Sequence, residues 1–105
     1  MTTPEGKIEE YLVDRVRATG GKIRKLKWIG RNGAPDRMVW WPPKGEWPTY
    51  TKFTLVFVEL KARNKKLSKT QVEEIRKMRK DGFTVYVADR TEIIDDIIFH
   101  NAPLK

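Results

Sequence analysis

The segment Phe53-Thr54-Leu55-Val56-Phe57-Val58-Glu59-Leu60 constrains the fold of this chain more than any other. Side chains alternate between the two faces of a strand, and here both alternating sets are largely apolar, so a strand formed by this run needs cover on both sides. It belongs in the middle of a sheet, with helices packed above and below. The run then ends in two charges, Glu59 and Lys61, one residue apart and hence on one face, following Phe57. Ligand sites in open α/β sheets form beyond the carboxyl ends of the strands, which makes this pair a candidate site.

The flanking segments supply the other elements. Thr3 before Pro4 is a helix start with proline at the first helical position, and Ile8, Leu12 and Val16 recur at helical spacing until Gly20-Gly21 ends the run. The basic stretch from Lys22 to Gly30 reads as a strand leading into a Gly30-Arg31-Asn32-Gly33-Ala34-Pro35 loop. From Asp36, the residues Arg37-Met38-Val39-Trp40-Trp41 form a second strand, stopped by Pro42-Pro43, and a turn region leads back into the central strand. Ser68 and Gln71 make a capping box, with Leu67 placed to staple against Val72; Val72, Ile75 and Met78 share a helix face until Asp81-Gly82. A strand from Phe83 to Ala88 follows, and Thr91 caps a last helix carrying Ile93, Ile94, Ile97 and Ile98. The order αβββαβα describes an α/β fold, a central mixed β-sheet flanked by helices, with a parallel crossover between the third and fourth strands. Residues 1–105 are expected to make one domain around one core.

Composition narrows the chemistry. No cysteine is present and the one histidine, His100, lies near the C-terminus, so thiol nucleophiles, Cys-ligated zinc and His-based metal or triad sites are set aside. Carboxylates and lysines are left to do any catalysis. With 22 Lys and Arg against 14 Asp and Glu, a net charge of +8 favours a polyanionic partner, nucleic acid before an acidic membrane. No signal-peptide core and no apolar stretch near the roughly 20 residues of a membrane span are present, which predicts an intracellular protein without membrane contact.

Asp36 opens the second strand directly after a glycine-containing loop and a proline. If the second and third strands pair as a hairpin, the start of one lies beside the end of the other, and Asp36 meets Glu59. Two carboxylates beside a lysine suit phosphodiester cleavage. Oxygen ligands hold Mg²⁺ or Mn²⁺, and the lysine either orients the attacking water or stabilises charge in the transition state. On the first helix, Glu5 and Glu9 both project toward the apolar stripe, so both are candidates for a further acid; each also suits the first turn as a complement to the helix dipole.

Ala34-Pro35-Asp36-Arg37, then Val58-Glu59-Leu60-Lys61-Ala62, then Leu67-Ser68-Lys69-Thr70-Gln71 resemble the virus-type replication-repair nuclease (VRR-NUC) family of the PD-(D/E)xK nuclease superfamily. The resemblance extends from about Glu5 to Ala88 and implies a restriction-endonuclease-like core. It implies that Asp36 and Glu59 bind the metal together with the backbone carbonyl of Leu60, and that Lys61 is the catalytic lysine. Gln71 matches a family glutamine near the active site, although the capping box needs Glu or Gln there in any case. Similarity to archaeal Holliday-junction resolvases selects Glu9 over Glu5 as the helix-one acid, catalytic and metal-binding. The implied activity is a Mg²⁺- or Mn²⁺-dependent endodeoxyribonuclease acting on branched DNA such as Holliday junctions. The implied assembly is a homodimer, with no small-molecule cofactor besides metal, acting in host cytoplasm if phage-encoded.

Basic residues flank the acidic centre: Lys22, Arg24, Lys25, Lys27 and Arg31 before Asp36, and Arg63, Lys65, Lys66 and Lys69 after Lys61. A phosphate backbone fits both groups, and the absence of a base-reading helix predicts recognition of DNA shape rather than sequence. Trp40, Trp41, Trp47 and Tyr50 crowd the Pro-rich hairpin, where packing, a dimer surface and base stacking are the readings in that order. Two other classes compete with the enzyme: a DNA-binding module without chemistry, and an accessory nuclease subunit that needs a partner.

Overall fold

A computed structural model describes residues 3–49 and 53–103, which leaves Tyr50 of the aromatic group outside the described residues. Seven elements follow one another: α1 (Pro4–Ala18), β1 (Lys22–Lys25), β2 (Arg37–Trp41), β3 (Thr54–Leu60), α2 (Lys69–Lys80), β4 (Val85–Ala88) and α3 (Thr91–Asn101). This is the expected αβββαβα order. The strands form one sheet in the order β1-β2-β3-β4, with β1–β2 and β2–β3 antiparallel and β3–β4 parallel. The sheet is therefore mixed, and the β3–α2–β4 crossover is the expected parallel connection.

The two apolar sets of β3 account for the layers. Val56, Val58 and Leu60 join Val39 and Trp41 of β2 on one face, against Ile8, Leu12 and Val16 of α1 and Ile94, Ile97 and Ile98 of α3. On the other face Phe57 packs with Ile75 and Met78 of α2 and with Val85, and Leu26, Met38, Leu55 and Leu67 extend that cluster. A strand covered on both sides is what the double apolar pattern requires.

Local chemistry sets most of the boundaries. The Thr3 hydroxyl accepts from Gly6 N–H at 2.9 Å, and Ser68 and Gln71 complete the reciprocal cap of α2. The staple is only half made: Leu67 joins the core cluster while Val72 stays exposed, so the buried face of α2 is Ile75 and Met78. Arg90, not Thr91, occupies the cap position of α3; Thr91 is already helical and no side chain caps that end. β1 stops at Lys25, and β4 begins at Val85, since Phe83 donates its backbone N–H to Met78 O at 3.0 Å and so still closes the end of α2; its ring stands edge-on to Phe57, centroids 5.6 Å apart.

The three described aromatics of the hairpin separate. Trp41 is buried, donating its indole N–H to the Thr19 hydroxyl at 2.9 Å and lying against Gly21, where a Cβ would come within 2.8 Å of the indole. Trp40 lies under the Arg24 guanidinium at 5.0 Å, and Trp47 is 77% exposed. Of the three, only Trp41 joins the buried core.

Candidate active site

The β2–β3 register brings the acidic pair together. Arg37 pairs with Val58, so the residues one step outward, Asp36 and Glu59, stand opposite each other at the end of the ladder. Alternation then decides the faces. Arg37, Val39 and Trp41 turn toward α1, which assigns Asp36, with Met38, to the α2 face that Phe57 and Glu59 share. Gln71 Nε2 on α2 donates to Glu59 Oε2 at 3.3 Å, placing the Glu59 carboxyl under the first turn of that helix. Lys61 follows on the same face, and its N–H donates to Ala88 O at 3.0 Å, extending the parallel ladder one residue past the strand. Leu60 points the other way with its side chain 1% exposed, so only its backbone can serve the site.

Both carboxyls are held in surroundings that resist ionisation. Burial first, and the Asp36 charge second, push Glu59 from 4.5 up to about 7, with Lys61 opposing. Burial also raises Asp36, partly offset by the neighbouring backbone N–H groups of Leu60 and of Asp36 itself. Asp36 Oδ1 is buried without a hydrogen-bond partner. A buried, unpaired carboxylate oxygen costs free energy that a ligand would recover. Hard oxygen donors are what Mg²⁺ and Mn²⁺ take, so this pair with the Leu60 carbonyl fits such a cation.

Arg37 was not singled out from the sequence, yet it is the most buried cation of the site, at 6% exposure. Its Nη1 lies 3.1 Å from Asp36 Oδ2 and donates to Asp36 O at 3.0 Å, while its Nη2 is ion-paired with Glu9. Desolvation lowers Arg37 from the ordinary guanidinium value, with Glu5 and Glu59 opposing. Glu9, expected among the metal ligands, therefore has its carboxylate engaged by Arg37. No group of three acids or histidines among the described residues is placed to hold a metal. Glu5, the other helix-one candidate, adds negative potential at both Asp36 and Glu59. The legible signal for Arg37 was a charge in the inward register of β2, in step with Val39 and Trp41.

Trp28 is a second residue the sequence did not reveal. Its indole N–H donates to Pro35 O at 2.7 Å, and its ring lies 6.0 Å from that of Phe57, two residues before Glu59. The loop that follows is fixed against α2: Gly33 has φ +85°, a Cβ there would fall 2.7 Å from Thr70 O, and Arg31 is ion-paired with Glu74. Between loop and helix opens a groove of roughly 410 Å³ whose charged lining is mixed: Arg31, Lys69 and Lys77 with Glu73 and Glu74. Lys25, Lys27, Arg31, Arg63, Lys65, Lys66 and Lys69 are all solvent-exposed. No helix among the described residues is long and apolar enough to cross a membrane.

Opposed carboxylates and a lysine at one strand end of a mixed sheet make a candidate site for phosphodiester chemistry, and comparison with known proteins gives the class of the chain. The VRR-NUC domain family model matches residues 7–91, and the chain belongs to that family. A solved VRR-NUC domain structure is similar over 94% of this chain and 98% of its own, at 36% identity and a TM-score of 0.77. The protein named "Putative nuclease p44", from Acyrthosiphon pisum secondary endosymbiont phage 1, is 35% identical over 89 residues, covering 85% of this chain and 86% of its own. The chain is thus a nuclease-family domain with the restriction-endonuclease-like α/β core that its motifs imply.

Proposed function

We propose that residues 1–105 form one metal-dependent endodeoxyribonuclease domain that hydrolyses phosphodiester bonds of branched DNA, with Holliday junctions as the leading substrate. The observation that carries this reading is the placement of Asp36 opposite Glu59 at the end of the β2–β3 ladder, with Lys61 next on the same face.

In this reading Asp36, Glu59 and the Leu60 carbonyl hold Mg²⁺ or Mn²⁺. When bound, the cation neutralises charge that builds on the phosphate. Lys61 orients the attacking water and stabilises the developing negative charge as the water oxygen bonds to phosphorus, the P–O bond to the leaving oxygen breaks, and the proton lost by the water is balanced by one gained at the leaving oxygen. Gln71 steadies the Glu59 carboxyl. Lys25, Lys27, Arg63, Lys65, Lys66 and Lys69 line up on the strand backbones, and the groove beside Arg31 extends that surface. Symmetric cutting of a four-way junction needs two active sites, which a homodimer supplies, acting inside the cell and, if phage-encoded, in the host cytoplasm.

The test is to incubate the purified protein with junction, flap, nicked and linear duplex DNA, with Mn²⁺ and with chelator, and to map the cuts. Metal-dependent cleavage favouring branched substrates is expected. Asp36→Ala, Glu59→Ala and Lys61→Ala should each reduce the rate by about 10² or more while folding and DNA binding persist. Unchanged cleavage in all three variants would reject the site, and salt-sensitive binding with no metal-dependent product would make the chain a binding module.

A further inference from the structure

We infer that Arg37 is a positioning residue for Asp36 and that Glu9 serves the site through Arg37 rather than as a metal ligand; this rests on the metal-site reading above. Two observations carry it. Arg37 grips Asp36 twice, at Oδ2 (3.1 Å) and at the backbone carbonyl (3.0 Å), and leaves Oδ1 as the one oxygen of that carboxylate that is buried and without a partner. Glu9 reaches β2 from α1 by its ion pair with the same guanidinium.

The physics assigns each partner a task. A guanidinium this buried is tolerated only when paired, and Glu9 supplies the charge that keeps it in place. The planar fork of arginine fixes the direction of both donors, which a lysine ammonium does not. Asp36 cannot rotate its carboxylate without breaking the Oδ2 contact, so Oδ1 stays directed by the pair. Arg37 and Glu9 together are neutral, so they orient Asp36 without adding net charge beside the cation that Asp36 and Glu59 would hold. The arrangement links α1 to the start of β2 by a single chain, Glu9 to Arg37 to Asp36.

The test is a double-mutant cycle read as Mn²⁺ affinity by calorimetry on the full chain, with circular dichroism as the check on folding. Loss of an outer partner of a metal ligand weakens binding by about 10–100-fold. Glu9→Gln, Arg37→Met and Arg37→Lys should each fall in that range. The double variant Glu9→Gln/Arg37→Met, whose net charge equals that of the parent, should be no more than about twofold weaker than the weaker single variant, because both changes cut one chain. If Arg37→Met does not fold, the cycle runs on Arg37→Lys. Losses that multiply in the double variant would make Glu9 an independent ligand and overturn the inference, as would Arg37 variants that bind Mn²⁺ as tightly as the parent or more tightly. Asp36→Ala separates the two levels. If it binds Mn²⁺ normally, the metal site itself is misplaced; if it abolishes binding while the Arg37 variants are neutral, only the positioning role fails.

Discussion

The indole N–H of Trp28 donates to the carbonyl of Pro35 at 2.7 Å, and the same ring lies beside Phe57 on β3. One side chain thus braces the backbone just before Asp36 against the strand that carries Glu59. Trp28→Phe keeps an aromatic ring and removes the donor. The variant should lose about 1–2 kcal/mol of stability, since the partly buried carbonyl is left unpaired. It should also lower kcat more than KM, because the acid shifts while the DNA-binding surface is untouched. Thermal melting and steady-state cleavage kinetics check both parts.

The pH dependence of the metal-free protein follows from Glu59. Burial, then repulsion from Asp36, raises its carboxyl from 4.5 to about 7, so the folded chain binds that proton more tightly than the unfolded chain does. Its contribution to stability is full below about 4.5 and is lost as pH rises through about 7. Asp36 is shifted in the same direction. The metal-free protein should therefore melt at a lower temperature at pH 8 than at pH 5.5, and Glu59→Gln should flatten that difference. Saturating Mn²⁺ should raise the melting temperature at pH 8, where the ionised pair gains a counter-charge. Calorimetry across this range decides the matter, and a profile that Glu59→Gln leaves unaltered would remove Glu59 as its source.

Much of the fold was legible because β3 states its own environment. A run apolar on both faces could only be central, and the capping box at Ser68 and the repeat of Ile8, Leu12 and Val16 placed two helices without tertiary information. The meeting of Asp36 with Glu59 was legible for a related reason: charges that interrupt or adjoin an apolar strand stand out. What could not be read depended on partners distant in sequence. The face of the first helix left Glu5 and Glu9 both open as site acids, and it could not show the Arg37 guanidinium that pairs with Glu9. Trp28 gave no local sign, since its acceptor is a backbone carbonyl seven residues on. Phe83 has strand chemistry yet stays outside β4, because its backbone N–H is taken by Met78 O at the end of α2.

Salt sensitivity should separate the basic residues by their pairing. Arg63, Lys65 and Lys66 are exposed in the turn after Lys61, where Asn64 takes the left-handed conformation at φ 67°. Replacing each by alanine should reduce the slope of log affinity against log salt by about 0.9 for every phosphate of duplex DNA that the side chain neutralises. Arg31→Ala should change the slope less, since the Arg31 guanidinium is already ion-paired with Glu74. Fluorescence anisotropy with labelled duplex and junction DNA over a salt series measures these slopes. Equal slopes for all four variants would mean that the Glu74 pair opens on binding.

Gln71 makes two bonds with one amide, and a single substitution can separate them. Its Oε1 accepts from Ser68 N–H at 2.8 Å to close the cap, while its Nε2 donates to Glu59 at 3.3 Å. Gln71→Glu retains an acceptor for the cap but faces Glu59 with a second acid instead of a donor. If the residue only caps α2, the variant should match the parent in both stability and cleavage. If it also steadies Glu59, the helix should survive, with a change in stability of about 1 kcal/mol or less, while the cleavage rate falls several-fold. Gln71→Ala removes both bonds and should lose about 1 kcal/mol for the cap as well. Melting curves and single-turnover rates on the same preparations distinguish the two roles. A Gln71→Glu variant with parental rates would assign the residue to the helix alone.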